Sequence, residues 1–65
     1  MKIVVNGEAR EVADGTLDKA LEALGYGDAK VATAVNEAFV PAALRSGHVL
    51  NDGDRVEIVA PRQGG

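Results

Sequence analysis

The stretch Pro61-Arg62-Gln63-Gly64-Gly65 carries the chemistry of a carboxylate on a bare backbone. Glycine has no Cβ, so Gly64 and Gly65 fit where side chains would clash and take dihedrals that other residues avoid. From Pro61 onward the stretch reaches roughly 16 Å when extended, at about 3.3 Å per residue. A tail of that reach and width can enter a narrow channel in a partner and present the α-carboxylate of Gly65 at its far end. With a pKa of about 3.5, that carboxylate is an anion at neutral pH and resists nucleophilic attack. It reacts only after activation. Gly64, Gln63 and Arg62 would lie in the channel behind it, with Arg62 either pairing with a carboxylate of the partner or remaining a solvated charge.

Little else in the chain competes for a chemical role. There is no Cys, hence neither thiolate nucleophile nor disulfide, and the single His48 stands between Gly47 and Val49 with no second His or Cys to complete a metal site. Asp52 and Asp54 have the spacing of a turn and lack the remaining ligands of a calcium loop. No Gly-x-x-x-x-Gly-Lys phosphate loop occurs, and no Ser/His/Asp set can be placed. The expectation is a chain that is not an enzyme and binds neither metal nor cofactor, but offers a reactive group to enzymes that act on it.

Composition narrows the setting. Sixty-five residues, with 7 Lys+Arg against 10 Asp+Glu and 46% hydrophobic residues, make one small domain. A chain of this size buries only about 60% of its unfolded surface, so without disulfide or metal its fold rests on packing and hydrogen bonds. A formal charge of −3 counts against nucleic acid as a partner, which favours a basic stripe. That acidic surplus either steers the chain to a basic enzyme face or serves solubility alone. The longest apolar runs, at 3–5, 38–40, 42–44 and 58–60, are three residues, far short of the roughly 20 that span a bilayer. Met-Lys-Ile-Val-Val meets Asn6 before a signal-peptide core develops, so a cytoplasmic location is expected.

The elements that must hold the tail can be read from spacing. Met1, Ile3 and Val5 alternate with Lys2 and Asn6, and Asn6-Gly7 supplies a two-residue hairpin turn. A second strand over 9–13 follows, with charged residues in water at a sheet edge. After Asp14-Gly15, Thr16 is expected to cap a helix whose Leu17, Ala20, Leu21 and Leu24 form one apolar stripe ended by Gly25. Residues 31–35 read as a strand buried on much of its surface. Asn36-Glu37 turns it into a short strand at Phe39-Val40, stopped by Pro41. One helical turn over 42–45 precedes His48-Val49-Leu50, which returns to the core. Asn51-Asp52-Gly53-Asp54 is a turn, and the last strand, 55–60, sets Val56, Ile58 and Ala60 on one face and Arg55, Glu57 and Val59 on the other.

Two strands, a helix and further strands exclude a doubly wound parallel sheet, which needs regular alternation. An α+β, β-grasp arrangement fits: a mixed four- to five-stranded sheet packed on one main helix. It divides into a body of 1–61 and a flexible tail of 62–65. The phase of the last strand turns Val59 outward with Pro61 on the same side, which makes these two candidates for docking a partner. Phe39, one of two aromatic residues, is either a third docking residue or a core anchor.

Val4-Val5-Asn6-Gly7, Val35-Asn36-Glu37 followed by Val40-Pro41, Asn51-Asp52-Gly53-Asp54-Arg55-Val56-Glu57-Ile58 and terminal Gln63-Gly64-Gly65 together resemble the ThiS sulfur carriers of thiamine biosynthesis. These lie within the ubiquitin-like β-grasp group that includes MoaD, the small subunit of molybdopterin synthase. The resemblance covers the whole chain. Many relatives have an aromatic residue shortly after the Val-Pro, where this chain has Leu44 and Arg45. The resemblance implies that a ThiF-type adenylyltransferase uses ATP to convert Gly65 to an acyl-adenylate. Sulfur from a persulfide donor then replaces AMP, and the thiocarboxylate serves a ThiG-type thiazole synthase. Delivery to molybdopterin or another metabolite, protein modification through Gly65, and a plain interaction module are the alternatives.

Overall fold

The computed structural model describes residues 1–60. Strand β1 (Lys2–Val5) turns into β2 (Glu8–Glu11), helix α1 (Leu17–Ala23) follows, and β3 (Ala32–Val35) turns into β4 (Ala38–Val40). A 3₁₀ turn at Ala42–Gly47 then leads to β5 (Arg55–Val59). The five strands form one mixed sheet in the order β2-β1-β5-β3-β4. Only β1 and β5 run parallel, in the register Val4↔Arg55 and Val5↔Val56; β3 pairs antiparallel with both β4 and β5. This is the expected α+β, β-grasp fold.

Both hairpins turn on an asparagine in the left-handed region. Asn6 and Asn36 each have φ of 50°, followed by Gly7 at 83° and Glu37 at 73°. Two successive positive φ values match the right-handed twist of the flanking strands, which is why the turns need only two residues. Helix α1 ends in a Schellman motif: the Gly25 N–H donates to the Glu22 carbonyl (3.1 Å) and the Tyr26 N–H to the Leu21 carbonyl (2.8 Å). Gly25 takes the required φ of 93°.

The core lies between α1 and one face of the sheet. Leu17, Ala20 and Leu21 from the helix meet Ile3, Val5, Val35, Val56 and Ile58 from the strands, with Leu24 and Tyr26 partly buried against them. Burying an aliphatic side chain of this kind contributes about 1.5–3 kcal/mol, and this is the main force holding helix to sheet. Thr33 is the one polar residue inside the described core. Its hydroxyl donates to the Val40 carbonyl at 2.9 Å and accepts from Arg45 Nε at 3.0 Å.

Five local expectations are corrected. Strand β2 covers Glu8–Glu11 instead of 9–13 and is exposed throughout, while buried Val12 lies past its end, exchanging backbone hydrogen bonds with Met1. Thr16 occupies the N-cap position without a side-chain cap; its hydroxyl donates to Asp18 Oδ1, and the Leu17 N–H is taken up by the His48 carbonyl at 2.9 Å. The chain passing beside the helix start replaces the cap. Strand β3 buries Thr33 and Val35 but not Ala32 or Ala34, because α1 covers one face of the sheet only. Val49 is 64% exposed and only Leu50 of its segment enters the core. Ala60 is exposed, since it lies beyond Ala32↔Val59, the last pair of the ladder that orients β5.

Candidate functional site

Strand β5 is the central strand that leads into the tail, and its backbone is held on both sides. On the β1 side the strand partner has already ended at Val5, so the Asn6 side chain takes over: Oδ1 accepts from the Ile58 N–H at 2.8 Å and Nδ2 donates to the Ile58 carbonyl at 3.1 Å. On the β3 side, Asn36 Oδ1 accepts from the Arg55 N–H at 3.0 Å and the Asn36 N–H donates to the Arg55 carbonyl at 2.7 Å. Asp54 extends this bracket, accepting from Asn36 Nδ2 at 3.0 Å and from the Asn51 N–H at 2.8 Å. Strand β5 is thereby held at its start by Asn36 and near its end by Asn6, one residue from each hairpin turn.

The sheet face turned away from α1 carries exposed apolar residues of the edge strand β4 and the central strand β5. Phe39 is 68% exposed and Val59 62%, and both border a groove of about 200 Å³ whose other lining residues are Ala32, Thr33, Ala34 and Glu57. The register explains the groove. Ala34 stands opposite Phe39 on one side and Glu57 on the other, and Ala32 stands opposite Val59. Two methyl side chains between larger neighbours leave a notch. Its walls are an aromatic ring, an aliphatic side chain and one carboxylate; among the described residues Glu57 makes no ion pair.

The structure thus brings Val59 and Phe39 to one groove and removes the core-anchor reading of Phe39. Pro61, Arg62, Gln63, Gly64 and Gly65 lie outside the described residues. Sequence reasoning missed Ala32, Ala34 and Glu57 as parts of this surface. Alternation within β3 carried the signal for the alanines, obscured by the expectation of a strand buried on much of its surface. The phase of β5 already set Glu57 beside Val59.

A larger cleft at the C-terminal end of α1 is lined by Glu22, Gly25, Gly27, Asp28 and Ala29. It holds two carboxylates, and among the described residues no group of three metal-ligating side chains occurs. His48 contributes backbone bonds, its carbonyl to the Leu17 N–H and its N–H to the Arg45 carbonyl at 3.2 Å. At the helix start, the Thr16 hydroxyl holds the Asp18 carboxyl below its usual pKa of 3.8, with smaller contributions from the Lys19 backbone N–H and charge.

The ThiS family model matches residues 3–65, a span that takes in all but the first residue of β1, every later element and the diglycine beyond. The chain belongs to the ThiS family. Solved structures agree with that placement. A crystal structure of a thiamine biosynthesis protein (ThiS) from Geobacter metallireducens superposes with a TM-score of 0.85 at 26% identity, covering all of both chains. The solution structure of a thiamine biosynthesis protein from the same organism gives 0.80 at 25% identity, covering all of this chain and 88% of that one. Among curated proteins, a thiazole synthase of Paramagnetospirillum magneticum is 42% identical over 66 residues. That match takes in all of this chain but 20% of the relative, so the chain spans about a fifth of that protein's length. Like the ThiS structures, this member has the ubiquitin-like β-grasp fold; among its described residues no helix is long and apolar enough to cross a membrane.

Proposed function

We propose that this chain is a sulfur carrier of thiamine biosynthesis, with the α-carboxylate of Gly65 as the group that carries the sulfur. The observation that carries this reading is the family match, which runs through Gly64-Gly65 to residue 65. In this reading the chain is a body of 1–61 that serves for recognition and a tail of 62–65 that serves for chemistry.

The reaction begins with a ThiF-type adenylyltransferase. An oxygen of the Gly65 carboxylate attacks the α-phosphorus of ATP, pyrophosphate leaves, and an acyl-adenylate forms. Adenylation replaces a poor leaving group with AMP, which overcomes the resistance of the anion to attack. The outer sulfur of a persulfide donor then attacks the acyl carbon and expels AMP, and a partner thiol cleaves the resulting acyl disulfide at its S–S bond, leaving a thiocarboxylate on Gly65 and a disulfide on the partner. That sulfur passes to a ThiG-type thiazole synthase. The chain itself binds no cofactor, and ATP belongs to the partner's site. Its own contribution is positional. The Asn6 and Asn36 bonds hold β5 rigid, so docking of the body fixes where the tail begins, while Gly64 and Gly65 keep the tail narrow.

The face that carries Phe39 and Val59 is the docking surface in this reading, with the groove beside Ala34 as its centre and Pro61 as a further docking residue. Delivery to thiazole is favoured over molybdopterin because both solved structures are of a thiamine biosynthesis protein from Geobacter metallireducens and the curated relative is a thiazole synthase. The reading requires a free α-carboxylate on Gly65. Intact mass of the protein purified from its own cells checks that point. Incubation with a ThiF-type enzyme, ATP and a persulfide donor should then replace one oxygen by sulfur. An unchanged mass in the presence of active enzyme contradicts the carrier reading, and ladders on the lysines of other proteins indicate a modifier instead.

A further inference from the structure

The composition of the groove specifies more than an apolar partner. Its floor is the Cβ of Ala34 and Ala32, and its walls are Phe39, Val59 and Glu57. Phe39 and Glu57 are both cross-strand partners of Ala34, so at a strand spacing of about 4.8 Å their Cα atoms lie on the order of 10 Å apart, one on each side of the notch. A carboxylate within an apolar docking face is a constraint on whatever covers it. An aliphatic side chain laid into the notch would strip water from Glu57 and give nothing back, which is costly for a charged group. An acidic one would be repelled.

We infer that the groove receives an arginine of the adenylating enzyme, its methylene stem on Ala32 and Ala34 and its guanidinium between the Glu57 carboxylate and the Phe39 ring. Arginine meets both walls at once. Its planar fork donates two parallel hydrogen bonds to a carboxylate, and its flat face lies on an aromatic ring as a cation–π contact. Its stem covers apolar surface while the charge stays at the edge. Lysine, a compact and strongly hydrated point charge, has no fork for the carboxylate and no flat face to stack on the ring. The chain would thus be recognised by its acidic position in the groove, independently of the tail that is adenylated. This inference rests on the carrier reading above.

The test is steady-state adenylation, followed by pyrophosphate release, with the purified adenylating enzyme and full-length carrier variants. Glu57→Gln removes the charge, Glu57→Lys reverses it, and Ala34→Leu fills the notch. Glu37→Gln makes the same change in net charge as Glu57→Gln at the β3–β4 turn, outside the groove. Because docking is separate from the chemistry at Gly65, KM for the carrier should rise about tenfold or more in Glu57→Gln and Ala34→Leu, and further in Glu57→Lys, with kcat unchanged. Glu37→Gln should stay within about twofold, as expected of a rim charge. Thermal unfolding of each variant establishes that the fold is intact. A KM for Glu57→Lys equal to that of the native chain, or equal losses in Glu57→Gln and Glu37→Gln, overturns the arginine assignment while leaving the carrier reading standing. Failure of the native chain to be adenylated at all overturns both.

Discussion

The carboxamide of Asn6 closes a ring of two hydrogen bonds with the backbone of Ile58, accepting from its N–H at 2.8 Å and donating to its carbonyl at 3.1 Å. A side chain thereby continues the β1–β5 ladder past the point where β1 turns away, and does so where β5 approaches the tail. Only an amide does this, because it offers one donor and one acceptor spaced like those of a peptide unit. Asn6→Ala removes both bonds and keeps a Cβ at a φ of 50° that alanine adopts less readily than asparagine. The expected loss is about 2 kcal/mol. For a domain of this size that lowers Tm by roughly 4–8 °C per kcal/mol, read by circular dichroism melting. A variant that melts with the native chain would remove the Asn6 bracket from this account.

Thr33 and Arg45 make a second such junction. The Thr33 hydroxyl, 1% exposed as a residue, bridges the Val40 carbonyl and Arg45 Nε, and Arg45 Nη2 donates to the Val31 carbonyl at 2.6 Å. Thr33→Val keeps the shape and strands the Arg45 donor, so it should cost about 1–3 kcal/mol despite adding an apolar group. Urea unfolding measures it; a stabilised Thr33→Val would show that the bridge contributes no net stability.

Glu37 holds φ at 73°, a region where a side chain is strained and glycine is not. Glu37→Gly should stabilise the chain by about 1 kcal/mol, giving the second hairpin the same Asn-Gly turn as the first. An unchanged or lowered Tm would place the advantage of Glu37 elsewhere.

Much of this was legible in the sequence, and the reasons differ by residue. Asn6-Gly7, Gly25 and the stripe Leu17, Ala20, Leu21 are read locally, since turn dihedrals and helical periodicity are properties of neighbours along the chain. The alternation of Val56 and Ile58 with Glu57 and Val59 was equally plain, and it supplied half of the groove. Contacts at long range were not legible. Thr16 loses its capping role to the His48 carbonyl, a residue 32 positions away (48 − 16), and Arg45 reaches Thr33 only once the 3₁₀ turn has packed against α1. The outward placement of Ala32 and Ala34 depended on which face α1 covers, a fact no window of sequence contains.

Asp18 supplies the pH dependence. Its folded pKa lies below 3.8, chiefly because the Thr16 hydroxyl donates to the charged form. A depressed carboxyl pKa contributes stability that is present above the unfolded value and is lost as pH falls through the folded one. The advantage of the native chain over Thr16→Ala should therefore be constant at neutral pH and shrink as the pH falls below about 4. NMR titration of Asp18 should show its pKa rising in Thr16→Ala. Identical titrations in the two proteins would contradict the hydrogen bond as the cause.

The most direct test of the account concerns Gly65. The intact chain and a chain lacking Gly65 are each incubated with a ThiF-type enzyme, ATP and a persulfide donor, then weighed by mass spectrometry, with their melting curves taken in parallel. The account predicts sulfur in place of one oxygen, located on the C-terminal fragment of the intact chain, no change in the truncated chain, and the same melting temperature for both. Equal sulfur loading of the two chains, or none in the intact chain beside an active enzyme, would contradict it.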